Sequence, residues 1–527
     1  MARRVLPSIV LLAAILHGVG IARSSLPAQD GLKFLRVARQ FHAENWMSVV
    51  RGSDQHPLYP ALIAVAQPCV ALGMGPSPDS WRLSAQVVSA LASIALLIPL
   101  FLLARALFGG TTAAMTALLY VLLPLPAEIG HDTLSDPLAL LGFTTALWLG
   151  HRTLRTRGVG SAIGCGFAAG LGYLARPEVA IVPLAVVVTA FTQFAIWTGS
   201  AARSVHAPRV RIAIPALSIA FLTMVGSYAI VKGEVSEKLA LRRGVAIPSP
   251  HDAASRNERR LPPGLDDARW DFSAKEESGH PTRLSFPQAV TKLGARWSEA
   301  MGLLLVPLTI WGVWRSRSIA GWRLLGVYSV LFVVVLVRHA ITFGYLSSRH
   351  TLSLVIVALP FASAGILACV RTVRDWREYR SPGSVTRTNC VRIAALIAMI
   401  AIAISVQFHH SLHPSRWGHG EAGRWLSAHA GTAEKVLDTR GWATFVSGRT
   451  GHDYWHVKQA LSDPALSYVV VGEDERNAAS PRAETLRAIL AYAAEPIASF
   501  PEREGGTNVG VRVYRFQPPA DWKGMRP

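Results

Sequence analysis

The sequence predicts a mainly α-helical, polytopic membrane protein of about eleven transmembrane spans with a small α/β domain at its C-terminal end. Three observations carry this reading. Of 527 residues, 51% are apolar and only 16% are charged, against roughly 25% charged residues in soluble globular domains. The apolar residues gather in runs long enough to cross hydrocarbon, which needs about 20 residues per helix. The net charge of +20 is concentrated between those runs, in alternate loops. The same composition excludes intrinsic disorder, which requires low hydrophobicity. Cys69, Cys165, Cys369 and Cys390 lie in or beside apolar segments with no CxxC pair, which argues against a disulfide scaffold or a zinc ribbon.

The runs are 5–22, 82–107, 112–129, 136–150, 161–175, 179–198, 212–231, 300–314, 323–343, 352–370 and 391–408. Three of them (136–150, 161–175 and 300–314) are short and must extend into their flanks. The first follows Arg3-Arg4. It lacks a clear small-residue cleavage site, although Ala22 and Ser24-Ser25 keep a signal peptide open, and it is read as an uncleaved span with a cytoplasmic N-terminus. A twelfth run, 58–75, contains Pro60 and Pro68, and an interior proline costs a helix about 3 kcal/mol. If 58–75 does not cross, eighteen arginines fall in cytoplasmic segments, among them Arg105, Arg152, Arg155, Arg315, Arg323 and Arg371, against the acids Asp375 and Glu378. If it crosses, every later loop changes side and the excess of cytoplasmic arginine is lost. The run is therefore read as interfacial, and the +20 as an orientation signal rather than a nucleic-acid footprint. The expected location is the plasma (inner) membrane, multi-pass.

The resulting division is a transmembrane domain, 1–408, and an extracytoplasmic domain, 409–527. Outer loops 23–81 and 232–299 are large enough to hold chemistry. In the tail, 433–438, 443–447, 468–471 and 509–516 read as strands, and 480–492 reads as a helix opened by Ser-Pro. Its acidic and basic residues nearly balance.

Ionisable residues at a membrane are costly, so those recurring at one face mark a candidate site. The outer ends of the spans hold Asp30; His56 and Tyr59 within Gln55-His56-Pro57-Leu58-Tyr59-Pro60; His131-Asp132; Asp136; Arg176-Pro177-Glu178; and Tyr345 to Arg349-His350. Structural readings stand beside this one. Asp30 and Asp136 suit helix starts, and Arg176-Pro177-Glu178 suits a helix end followed by a helix start. His409-His410 and His413 read as solvated histidines at a membrane exit.

From Asp30 to about Pro183 the chain resembles the GT-C fold polyprenyl-phosphate-sugar-dependent glycosyltransferases, the superfamily of dolichyl-phosphate-mannose-protein mannosyltransferases and lipid A aminoarabinose transferases. The resemblance rests on Asp30 soon after the first span, His56-Pro57-Leu58-Tyr59-Pro60, Arg82-Leu83 and Ala104 to Gly109. It continues in Leu134-Ser135-Asp136-Pro137-Leu138 and Gly170 to Glu178. Tyr345–His350 matches weakly. One departure is Gly31 after Asp30, where the protein mannosyltransferases carry an Asp-Glu pair.

The resemblance implies an enzyme that moves a sugar from a polyprenyl phosphate to an acceptor hydroxyl of a lipid, glycan or protein on the outer side, with inversion. It implies Asp30 as the general base. Arg176 and Arg349, joined by His56, Tyr59, His131, Tyr345 and His350, are the candidates for the donor phosphate, because a guanidinium donates paired hydrogen bonds to phosphate oxygens. Asp132, Asp136 and Glu178 are expected to line the cavity and orient sugar hydroxyls or these cations. The expected partners are the lipid-linked sugar, the bilayer and an unidentified acceptor, with no nucleic acid. No cofactor is expected, and a divalent metal is not implied. The alternative is a transporter or flippase for a lipid-linked or anionic substrate. Transporters place charges at mid-membrane on broken, repeated helices, whereas here the acids gather at one face and no repeat is visible.

Overall fold

The computed structural model describes residues 2–156, 158–196, 203–233, 283–317, 321–380, 405 and 414–517. The expected span 391–408 and most of the loop 232–299 lie outside them. The helices of the first unit are α1 (Ala2–Arg23), α2 (Gln29–Ala43), α3 (Trp46–Gly52), α4 (Leu58–Met74), α5 (Pro78–Phe108), α6 (Gly110–Leu122), α7 (Pro124–His131) and α8 (Asp136–Thr156). They continue as α9 (Val159–Ala175), α10 (Ile181–Ile196), α11 (Arg203–Lys232), α12 (Phe286–Met301), α13 (Leu305–Arg315), α14 (Trp322–Phe343) and α15 (Leu352–Arg380).

Five helical stretches among the described residues are long and apolar enough to cross a membrane: Val5–Arg23, Pro78–Phe108, Ile212–Lys232, Trp322–Phe343 and Ser348–Thr372. Two bent pairs bring the number to seven. The expected run 112–129 is such a pair, turned by 64° between α6 and α7, where Pro124 opens a new helix. The run 300–314 begins at the bend of the other pair. Helix α12 ends at Gly302, whose φ of 74° leaves the helical region, and α13 departs at 98°. Val159–Ala175 and Pro177–Gln193 are apolar but shorter, and α8 carries His151, Arg152 and Arg155 in its last turns. Length and apolarity alone therefore stop short of eleven spans.

Helix α5, with 31 residues, is about 46 Å long at 1.5 Å per residue, well beyond the hydrocarbon thickness of about 30 Å. A capping box between Ser77 and Ser80 starts it. Its first third carries α4: the Tyr59 hydroxyl bonds to the Ala85 carbonyl at 3.0 Å and Ser89 Oγ at 2.8 Å, and Gln67 reaches Ser80. Ser24, His131 and Leu134 meet α5 at this same level, through Arg82, Gln86 and Ser89. Helix α4 thus packs at one end of the bundle, with Val65 and Leu72 exposed.

Small residues let the other helices approach closely. A side chain at Gly166 of α9 would run into the Leu217 carbonyl of α11, and side chains at Gly312 and Gly365 would clash where α13 crosses α15. One apolar core, including Leu100, Phe143, Val182, Phe332 and Leu359, runs through the bundle. At the end opposite α4, Leu107, His151 and Gly321 meet, so the arginines flanking these positions gather there.

The tail folds into a five-stranded sheet of order β2-β1-β3-β5-β4, built from β1 (Lys435–Asp438), β2 (Gly451–His452), β3 (Leu466–Gly472), β4 (Ala494–Pro501) and β5 (Val509–Phe516). The first three strands are parallel, and β5 runs antiparallel to β3 and β4. Helix α16 (Trp417–His429) covers one face; α18 (Val457–Ser462) and α20 (Pro481–Ala493), with the short α19 (Glu473–Arg476) between them in sequence, belong to the other side. The expected strand 443–447 is instead part of helix α17 (Trp442–Ser447). Gly441, at φ 82°, turns the chain out of β1, and the Asp438 carboxylate accepts the Thr444 N–H at 2.8 Å, which starts a helix from a run too short for its periodicity to decide.

Candidate active site

Four chain segments bring charged side chains into or beside one cleft at the α4 end of the bundle. Asp30 lies in the first turn of α2, where the helix dipole favours a carboxylate. Asp136 and Pro137 open α8. Arg176 stands between α9 and the 3-10 turn Pro177–Ala180 in extended backbone (φ −154°, ψ 132°), because the proline that follows disfavours the helical region. Arg349 and His350 lie in the 3-10 turn Ser348–Thr351, capped by Ser347 and following Gly344, whose φ of 64° ends α14.

Two ion-paired groups result. Arg349 Nη2 donates to Asp30 Oδ2 at 2.7 Å. Arg176 binds Asp136 through Nη1 and Glu178 through Nε, the latter at 2.5 Å. The open cleft has Asp136, Arg176, Glu178, Arg349 and His350 as its polar wall and Leu140, Phe143, Val179 and Leu352 as its apolar wall. Tyr328 and Ser353 complete it, and nothing in their spacing marked them in the sequence. Three carboxylates thus face two guanidiniums. Arg176 is held by two acids, whereas Arg349 is held by one that is itself half-exposed. Burial works to raise the Asp30 pKa, but the hydrogen bond and charge of Arg349, helped by Lys33 and Arg176, hold the carboxyl below the usual aspartate range.

Other expected site residues lie elsewhere. Tyr59 is fully buried between α4 and α5 with its hydroxyl committed to Ala85 and Ser89. His56 stacks on Tyr228 and meets Tyr173 edge-on. His131 packs against His17 of α1. These three do not line the cleft, because their side chains are committed to neighbouring helices. Tyr345 is mostly exposed, its ring against His350. Asp132 serves the backbone instead of the cleft. Its Oδ1 accepts the N–H of Ala28 at 3.1 Å and of Thr133 at 2.7 Å, which anchors the stretch of chain leading into α2. Among the described residues no group of three metal-ligating side chains comes together.

Gly31 has a steric reason. A Cβ there would overlap Thr133 Oγ1, so the start of α2 can lie against the α7–α8 loop only without a side chain. We expect Gly31→Ala to push Asp30 away from Arg349. With Asp30 as the base that the resemblance implies, the expected transfer in membranes should fall at least about tenfold at normal expression, since a displacement near 1 Å in a reacting group is that costly. Wild-type rates would show the contact to be irrelevant.

The helical bundle with its small C-terminal sheet domain has the GT-C fold, the fold of the solved structures on which it superposes. The family model described as dolichyl-phosphate-mannose-protein mannosyltransferase matches residues 79–241. ArnT from Cupriavidus metallidurans, solved bound to undecaprenyl phosphate, superposes with a TM-score of 0.56 at 13% identity, covering 96% of this chain and 97% of that one. The Archaeoglobus fulgidus oligosaccharyltransferase in its apo form superposes with a TM-score of 0.55 at 13% identity, covering 93% and 73%. The same archaeal enzyme has been solved with an inhibitory peptide and a dolichol-phosphate, at a TM-score of 0.50 and 13% identity, covering 93% and 72%. No protein of curated function matches in sequence.

Proposed function

We propose that the chain transfers a sugar from a polyprenyl-phosphate donor to an acceptor hydroxyl, with inversion, and that Asp30 is the general base. The observation that carries the reading is the Arg349–Asp30 pair at the mouth of a cleft in this fold. The acceptor oxygen attacks the anomeric carbon as the bond from that carbon to the phosphate oxygen breaks. The acceptor proton passes to Asp30, and the bonding electrons leave on the polyprenyl phosphate. That leaving group gains a negative charge, and Arg349 is the cation best able to take it, having a single carboxylate to exchange. Donor binding then draws Arg349 from Asp30 and leaves the carboxylate a stronger base where the acceptor needs one. ArnT bound to undecaprenyl phosphate and the oligosaccharyltransferase bound to dolichol-phosphate support the donor class. The arginines gathered at the opposite end of the bundle support a cleft on the outer side.

The test is the pH dependence of transfer from a labelled polyprenyl-phosphate sugar. Arg349 lowers the Asp30 pKa, so Arg349→Gln raises it, and the acid limb of kcat/KM moves to higher pH. The rate at the optimum falls by about 100-fold, the usual effect of losing one preorganised charge stabiliser. An unchanged acid limb would separate Asp30 from the reaction.

A further inference from the structure

We propose that the tail domain is part of the catalytic apparatus because it sets the position of Asp30 by gripping the peptide two residues before it; the inference rests on Asp30 being the base. The carbonyl of Pro27 accepts two hydrogen bonds from the tail, from Trp442 Nε1 at 3.0 Å and from Arg416 Nη1 at 3.0 Å. The Arg416 guanidinium lies 4.4 Å over the Trp442 ring, so the two donors form one unit. From the other side, the N–H of Ala28 bonds to Thr133 Oγ1 at 2.9 Å and Asp132 Oδ1 at 3.1 Å. One peptide unit is therefore held at its oxygen by the tail and at its nitrogen by the α7–α8 loop. Ala28 is the N-cap residue of α2 and offers no side-chain cap. What fixes the start of that helix is this grip, and Asp30 follows within its first turn.

The tail is built to present the donors. Trp442 is 3% exposed and sits just past the carboxyl end of β1. Asp438, fully buried, accepts the N–H groups of Arg440 and Thr444 and so fixes the turn that carries it. In open α/β sheets the carboxyl ends of parallel strands are where ligands bind; here that edge holds the chain's own linker. The contact widens around the grip. Phe445 joins the apolar cluster of α2 and α4, with Arg39 5.1 Å over its ring. Arg36 pairs with Asp453 at the exposed rim.

Trp442→Phe keeps the ring and removes one donor, while Arg416→Ala removes the other from a separate element. With polyprenyl-phosphate sugar as the donor, the double variant should lose kcat by about tenfold or more, with no rise in KM for the donor. Its acid limb should move to higher pH as Asp30 leaves Arg349. Arg416→Lys should recover part of the loss, and Arg36→Ala, at the rim, should keep the wild-type rate. Proteolysis of each variant reports whether the tail remains folded, and the two single variants answer separately if the double does not fold. Asp30→Asn, measured alongside, separates the two levels of inference. Inactive Asp30→Asn with grip variants at wild-type kcat, or altered only in KM, overturns the grip and leaves the base assignment standing. Active Asp30→Asn overturns both.

Discussion

Asp30→Asn is expected to lower sugar transfer by at least about a hundredfold, the low end of what a positioned general base contributes. The amide keeps the size of the carboxylate and one acceptor oxygen, but it cannot take the acceptor's proton. The structural cost is small, because the Asp30 side chain is 49% exposed and exposed ion pairs contribute about 0–1 kcal/mol. A large loss of rate at normal expression and melting temperature is therefore a chemical loss. The alternative role for Asp30 is to neutralise Arg349. In that case Asp30→Asn would retain its rate; because donor binding draws Arg349 from Asp30 under either reading, the donor binds more tightly in both, and turnover is what separates them.

Arg176→Ala has the second large expected effect, and it falls on stability as well as activity. Arg176 is the shared partner of Asp136, 6% exposed, and Glu178, 30% exposed. Removing it leaves two acids at the head of α8 and the turn before α10 without their cation. Breaking a buried pair from one side costs about 3–5 kcal/mol, and the partial exposure of this group puts the expectation near the lower bound. The melting temperature in detergent should drop by several degrees, and transfer should be lost even in the folded fraction. Arg176→Lys restores one contact of two, so it should recover more stability than activity. An Arg176→Ala protein with wild-type melting would show that the two acids find other partners.

Much of the fold was legible because hydrocarbon imposes a simple requirement of length and apolarity. Val5–Arg23, Pro78–Phe108, Trp322–Phe343 and Ser348–Thr372 stand where the runs 5–22, 82–107, 323–343 and 352–370 placed them. Charge and two prolines argued for an interfacial 58–75, and α4 packs against the first third of α5. What hydropathy does not contain is bending. Residues 300–314 read as one apolar run, although Gly302 divides it into two helices almost at right angles. The site shows the same limit. Asp30, Asp136, Arg176, Glu178, Arg349 and His350 were readable because each is ionisable and adjoins a span end; the fold brings the last five to one cleft and pairs Asp30 with Arg349 beside it. Adjacency to a span end says nothing of depth, however, and His56, Tyr59 and His131 share that property while packing elsewhere. Arg416 and Trp442 were invisible for the opposite reason. Their partner is a backbone carbonyl 389 and 415 residues away, and no pattern in the chain marks such a contact.

The most direct measurement uses the purified chain in liposomes with a polyprenyl-phosphate sugar labelled separately in the sugar and in the phosphate. For a glycosyltransferase, the two labels part: free polyprenyl phosphate accumulates, and the sugar label moves to the acceptor or to water. Were the donor to cross the bilayer with both labels still joined, and no sugar-free polyprenyl phosphate formed at any acceptor concentration, the protein would be a carrier of the lipid and not an enzyme acting on it.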